Sequence, residues 1–535
     1  MASVAHLRAE ITPGSILRRD PVIRQLTVDG VRLILEHGAD DKPNWAFGPH
    51  VAAAAQAEPK AIADARASIP IILDATFRDA EIDFRTSSGS LLHLRLDDVT
   101  GKTPAMDTPI AVAGEGSYNN LPARVSGDIA SFARLRDGAA PYGVSLKLVS
   151  GETILDFVGQ TTDPLNFDGV DGRLILNGPH IGNLVMRADI PAALDSPVTL
   201  AGTASRHGDD WRLADGVGTF DGHPFSATLA LHEGARRMAD ALTIESRFTT
   251  LDLGGIEPGG SDNSVGSIPL TIDSAPGTLV DAHLAAASVV YRRLRLQDLD
   301  VAFTLRPGMV SIDNLSAGIA GGAATSSLRV TNGKAGADVV FNAALKGVDA
   351  QTLSSLAGLG AIPVLGKLDS RVSGNLSGTT LADARDSNRI FAILAMTGGT
   401  VDRQMVRMAS TDFRALFGRV GKSRLSCLGA IVDLRNGLGT IAPFILKTSD
   451  GTITGSGTYD ALHDRLDVVI GSQSASTGFF ALDVPMRISG PLSDYSVRPA
   501  IGASARQLRP GAALSDMPGA MRDFAQANPC LRTRR

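Results

Sequence analysis

The residues with the means to bind phosphate are Gly421, Lys422 and Ser423, which close the stretch GRVGKS at 418–423. A phosphate-binding loop needs a further glycine at 416, so that backbone N–H groups can wrap the phosphates, and Leu416 stands there instead. A nucleophilic serine is no better supported, since Gly502-Ala503-Ser504-Ala505-Arg506 lacks the closing glycine of a strand-to-helix elbow. The ten histidines are scattered, with none paired at helical or H-x-H spacing. His207 with Asp209 and Asp210 is the densest polar set, and it reads as a hairpin turn before it reads as a metal site. DGVDGR at 168–173 hints at a calcium loop but lacks the third ligand and the distal glutamate, so it too reads as a turn. Cys427 and Cys530 lie far apart, the second in a polar tail, which argues against a cysteine metal site and against a disulfide framework. No set supplies nucleophile, base and orienting group together, and the expectation is a non-enzyme with no metal or cofactor.

Those negatives turn attention to the scaffold. A chain of 535 residues exceeds one ordinary hydrophobic core, so it holds several domains or an array of repeated units. Glycine is frequent (57), aromatics are sparse (5%), and short runs of Leu, Val, Ile and Thr are broken by Gly, Asp, Asn and Pro. That is the composition of a mostly β protein. The formal charge of −5 comes with interspersed signs, which leaves no basic patch for nucleic acid. Near-absence of cysteine is compatible with an oxidising compartment. No run of ~18 apolar residues exists to span a membrane, and the first residues have no apolar stretch of signal-peptide length.

Period-two alternation is the commonest pattern. Leu92, Leu94 and Leu96 alternate with His93, Arg95 and Asp97; Leu368, Val372 and Leu376 share a parity with Ser370 and Gly374; Val484, Met486 and Ile488 alternate with Pro485, Arg487 and Ser489. These strands are wet on one side, as in an antiparallel sheet. GTFDG at 218–222, GIAGG at 318–322 and GTITG at 451–455 each open a hairpin, at unequal intervals that exclude a fixed-period solenoid. At roughly 12 residues per strand and turn, about 35 to 40 strands fit. Short helices are expected at 51–67, 351–359 and 408–420, capping or side-packing the sheet. The Gly, Ser and Pro-rich 254–280 reads as a linker between regions 1–253 and 281–502, and 503–535 as a loose tail.

The opening ITPGSILRRDPVIRQLTVDGVRLILEHGADDKPNWAF resembles the N-terminal signature of AsmA family proteins, with Asn44, Trp45 and Phe47 as its Asn-Trp-x-Phe. TLAGTASRHGDDWRLADGVGTFDGHPFSATLAL, which holds Trp211, resembles the family's middle. GLGAIPVLGKLDSRVSGNLSG, MTGGTVDR and VPMRISGPLSDYSVRP resemble its C-terminal module, so the likeness runs in order from about residue 7 to 500. The resemblance implies an elongated, curved antiparallel β-sheet with a groove of the bridge-like lipid-transfer type. It also implies a periplasmic protein anchored in the inner membrane and tied to outer-membrane lipid homeostasis and assembly, with membrane phospholipid and outer-membrane assembly proteins as partners. Its members carry a transmembrane helix just before the point where this chain begins, so the expectation is an anchor upstream of Met1.

A one-sided apolar sheet must cover that face, and few helices are available to do it. In a trough the cover can be acyl chains, with Leu92, Leu94, Leu96, Leu368, Val372, Leu376, Val484, Met486 and Ile488 as candidate lining residues. A two-sheet scaffold or interaction protein would bury the same face against itself, and periodicity does not separate the two. Two Trp and five Tyr are too few for the girdles of an outer-membrane barrel. Trp45 and Phe47 share a parity after a turn closed by Pro43, and read as the plug of the first hairpin, with Asn44 bonding the turn backbone; lipid entry is the alternative reading.

Overall fold

The computed structural model describes residues 2–532 apart from 18–19, 37–43, 45–65, 67–68, 86–90, 119–120, 138–139, 180–195, 236–237, 255–268, 335, 357–361, 403–420, 475–484, 493 and 501–516. Its described residues form 29 strands and a few short helices, and the strands pair almost entirely antiparallel. Most of the described strands span 9 to 15 residues, longer than roughly 12 residues per strand and turn allows. The chain divides into two compact units, Met1–Thr249 with Ala275–Leu284 and Thr250–Ser274 with Ala285–Arg535.

In the first unit β1 (Ala2–Ile11) pairs with β2 (Val22–Glu36), which takes β3 (Ile71–Ile72) and β4 (Asp74–Arg85) in parallel on its other edge. An antiparallel meander follows: β5 (Leu91–Lys102), β6 (Ile110–Tyr118), β7 (Leu121–Ile129), β8 (Tyr142–Ser150), β9 (Thr153–Asp163), β10 (Asp168–Gly178), β11 (Val198–His207), β12 (Asp210–Phe220), β13 (His223–His232) and β14 (Asp240–Asp252). Short α1 (Pro13–Leu17) joins β1 to β2. Between β7 and β8, α2 (Phe132–Arg136) is capped by the Ser131 hydroxyl, which accepts from the Arg134 N–H. Its Phe132 and Leu135 bury against Ile71, Ile110 and Tyr142 and close one end of these strands. The Tyr142 hydroxyl donates to the Ala130 carbonyl at 2.5 Å, and burial pushes its pKa up to about 12.

The second unit carries the rest of β15 (Thr278–Tyr291), then β16 (Leu294–Arg306), β17 (Met309–Ile319), β18 (Gly322–Gly333), β19 (Gly336–Asp349) and β21 (Lys367–Gly378). The order continues with β22 (Asn388–Met396), β24 (Lys422–Arg435), β25 (Leu438–Thr448), β26 (Gly451–Asp460), β27 (Arg465–Ser474), β28 (Met486–Gly490) and β29 (Ser496–Pro499). Two short strands, β20 (Val364–Leu365) and β23 (Thr400–Asp402), pair with each other and join α3 (Ala350–Leu356) beside a buried cluster of Val401, Leu425, Leu446, Ile453, Val468 and Ile470. The expected helix at 351–359 is this α3. α4 (Leu381–Asp386) opens with a Thr380–Asp383 capping box between β21 and β22.

Two expectations about the C-terminus fail. Cys427 and Cys530 form a disulfide across 103 residues, with Cα atoms 5.8 Å apart. Residues 517–532 are no loose tail: α5 (Gly519–Ala527) buries Met521 and Ala525, with Met517 and Leu531, against Phe391, Ile393 and Ile431. The spacing of Met517, Met521 and Ala525, four residues apart each time, was the signal, overlooked because a polar, proline-bearing end reads as solvated.

Candidate functional site

The feature with functional potential is one face of each sheet, and strand register builds it. In the first unit Val28 pairs with Phe77, Phe77 with Val99, Val99 with Gly114, and Gly114 with Val125. The same row passes to Leu148, Leu155, Leu176 and Leu200, and on through Gly218 and Phe225 to Phe248. Directly opposed residues point to one side of a sheet, so this is a single file of apolar side chains and glycines from β2 to β14. A second file runs beside it, from Leu26 and Ala75 through Val112, Leu146 and Phe157 to Leu174.

The opposite face is charged. Its neighbouring row holds Asp29, Arg78, Asp98, Glu115 and Arg124 in register. Arg78 meets Asp98 at 3.3 Å, Arg124 meets Glu115 at 3.8 Å, and His93 meets Asp83 at 2.7 Å. These pairs are exposed and individually weak, yet a slip of one residue would exchange the two faces. Where a β-bulge interrupts a strand, an aspartate in the left-handed region absorbs the extra residue, as at Asp215 (φ 50°) and Asp298 (φ 48°).

From β6 to β10 the apolar file is half-buried at most positions; Leu148 remains 40% exposed. Among the described residues no buried cluster covers it there, the clusters lying at the strand ends around Phe132 and near β2 around Val28, Val31 and Ala80. Tyr118 lies on this face opposite Leu94 and Leu121, and desolvation raises its pKa. Phe157 leans over the Gly159–Gly172 pair, where a Cβ would sit 2.7 Å from its ring edge. The face is therefore smooth, apolar and drier than its reverse.

The predicted lining residues divide among three environments. Leu94 and Leu96 lie on the open face of the first unit, Leu96 against the Val28 cluster; Leu92 is in register with Phe84. Val372 and Ile488 share one file of the second unit, through Ala392, Val432, Ile441, Gly457 and Val468. Leu368, Met486 and Ile488, however, pack against the buried Leu446–Ile453 cluster, and Leu376 against Val330, Ala337 and Val339. Val484 lies outside the described residues. Sequence reading missed the file on β6–β10, where Gly and Ala at alternate positions blur the apolar signal.

Of the signature residues, Asn44 acts like a strand residue: its N–H donates to the Glu36 carbonyl at 3.0 Å, its amide donates to the Ile34 carbonyl at 2.9 Å, and its side-chain oxygen accepts from the Glu36 N–H at 3.1 Å. That agrees with a role in bonding backbone at the end of β2. Trp45 and Phe47 lie outside the described residues. Trp211 ends the apolar row of Leu231 and Leu242; its indole N–H donates to Glu233 at 2.7 Å, and the Arg206 guanidinium lies 4.8 Å above its ring.

The polar motifs are structural where they are described. Asp168 accepts from the Gly169 and Gly208 N–H groups, both at 2.7 Å, and so ties two hairpin turns together. His207 and Asp210 stand opposite in strand register across the β11–β12 turn, and the Asp210 carboxylate meets the His232 ring at 2.8 Å. Ser423 is fully buried and donates to Asp450. Among the described residues no group of three or more acidic, His or Cys side chains could hold a metal ion, and no helix is long and apolar enough to cross a membrane.

No protein-family model matches the sequence, and no solved structure matches it. A curated relative, the AsmA family protein YhjG of Escherichia coli (strain K12), is 24% identical over 448 residues, which cover 74% of this chain. The chain spans 63% of the length of that relative. With the ordered N-terminal, middle and C-terminal likenesses, this similarity supports membership of the AsmA family.

Proposed function

We propose that the apolar sheet face holds phospholipid acyl chains, and that the protein contributes to outer-membrane lipid homeostasis and assembly by carrying lipid between the two membranes of a bacterial envelope. The observation that carries this reading is the unbroken apolar file from Val28 to Phe248, half-buried where no described cluster covers it. An acyl chain of 16 carbons in water forfeits on the order of 12 kcal/mol at ~0.8 kcal/mol per CH₂, so a continuous apolar strip offsets much of that cost at every step. Rows of Leu, Val and Gly with few fixed polar groups favour sliding over capture. No catalytic residues enter this account.

The Cys427–Cys530 disulfide supports a periplasmic location, because such bonds persist in oxidising compartments. Anchoring in the inner membrane and contact with outer-membrane assembly proteins belong to the same proposal and rest on the family likeness. A second reading, a non-enzymatic β scaffold, draws on the second unit, where Leu368, Met486 and Ile488 help to bury their own face.

The test is purification from envelope extracts followed by lipid mass spectrometry, with photoreactive residues replacing Leu146 or its neighbour Ser145 on the reverse face. Phospholipid in the preparation and crosslinks from position 146 but not 145 are expected. Lipid-free protein with equal labelling from both positions would refute the groove and favour the scaffold.

A further inference from the structure

The C-terminal helix lies against the face of β22 and β24 that carries Phe391, Ile393 and Ile431, opposite in parity to the Val372–Ile488 file. A bulge in β24 makes this possible. Register shifts between Leu425 and Cys427, so Leu425 enters the Leu446–Ile453 cluster while Cys427, two residues on, faces the other way and meets Cys530. Gly429 then leaves the space that Leu531 fills: a Cβ there would stand 2.5 Å from the Leu531 Cγ. The Asn528 side-chain amide donates to the Leu428 carbonyl at 3.0 Å, and the Arg371 guanidinium lies 5.5 Å from the Phe524 ring.

By itself α5 is a weak helix. It spans 9 residues, its N-cap Pro518 offers no side-chain hydrogen bond, and neither terminal turn carries a charge that would oppose the helix dipole. Its docking must come from these tertiary contacts and the covalent bond. Both sulfur-bearing residues are buried, Cys427 2% and Cys530 5% exposed, so a reductant reaches them when the helix lifts.

We propose that α5 is a redox-dependent latch: the Cys427–Cys530 bond holds it over Phe391, Ile393 and Ile431, and thiol–disulfide exchange with an external dithiol releases it and uncovers that patch. The exchange balances as two thiols formed on the protein for one disulfide formed in the dithiol, with two electrons and two protons transferred. The dependence is reciprocal, because a helix that cannot dock keeps the two sulfurs apart.

The test uses the full chain. Thiol counting after denaturation and hydrogen exchange read by mass spectrometry are compared before and after dithiothreitol. The oxidised protein is expected to show no free thiol and slow exchange over 517–532. Reduction is expected to speed exchange there and at 391–393 by about tenfold or more, leaving β8–β10 unchanged. A second arm keeps both cysteines and fills the Leu531 site with Gly429→Val, for which two free thiols and the same fast exchange are expected. Unchanged exchange over 517–532 in protein shown to be reduced, or a complete disulfide in Gly429→Val, would overturn the latch.

Discussion

The meander from β6 to β10 and the block from β22 to β28 use the same hairpin grammar and reach opposite solutions for an apolar face. In the first, alternation is strict, the reverse face is charged, and the apolar file is only half-buried. In the second, Leu446 and Ile453 are 1% exposed on one face, and Ile393 and Ile431 are at most 2% exposed on the other, beneath α5. The composition of the strands accounts for the contrast. β22 reads NRIFAILAM, a nearly continuous apolar run that demands cover on both sides, whereas β7 reads LPARVSGDI and demands it on one. A sheet face can be left open for a ligand only where its own chain provides no second layer.

The sharpest way to break this comparison is to truncate a side chain in each region. Leu446→Ala, in the buried cluster, is expected to cost about 3 kcal/mol in urea denaturation, because little room exists for the cavity to collapse. A cost near zero would show that the second unit is as open as the first. Next in size is Gly172→Val, whose Cβ would stand 2.6 Å from the Gly159 Cα and 2.7 Å from the Phe157 ring. A loss of about 1 to 3 kcal/mol, read as a lower melting temperature, is expected from that overpacking.

On the open face, Leu155→Gln with Leu176→Gln should cost only about 1 kcal/mol in stability yet cut co-purifying phospholipid about tenfold, since ~1.4 kcal/mol of lost apolar contact is a factor of ten. Large destabilisation with unchanged lipid would mean that the file is a core. Smallest is the surface pair Arg487–Asp467, 2.6 Å apart and about half exposed. Its hydrogen bonds lower the Asp467 pKa below 3.8, so the stability that it adds is present above that value and fades as pH falls through the lower folded-state pKa. Arg487→Gln is therefore expected to lose a small increment of stability near neutral pH and nothing in strong acid, measured by denaturation across pH.

Much of the sheet was legible in the sequence, because alternation has a period that a reader can count. Leu94 shares a face with Tyr118, and Val372 with Ala392, as the counted alternation requires. What alternation cannot report is which apolar faces acquire a second layer. Met486 and Ile488 look like Leu94 in sequence, yet they join a core because β20, β23 and α3 are brought over their neighbours by long-range contacts. The Cys427–Cys530 bond was illegible for a related reason: 103 residues separate the two, and no local pattern records which distant strands meet. Bulges hide as well, since two residues facing opposed one differ little in composition from an ordinary stretch of strand.

The bulge between Leu425 and Cys427 has a consequence for how such a chain can change over generations. Lengthening a hairpin turn such as Gly151–Glu152 by one residue leaves both flanking strands in phase. Deleting Ser426 only closes the bulge and leaves Cys427 facing Cys530, whereas deleting Leu428 would draw Cys427 into its place toward the leucine cluster and strand Cys530 without a mate. The expected record of such lineages is that length varies in the turns of the meander, while the spacing from Cys427 to Gly429 stays fixed to the residue.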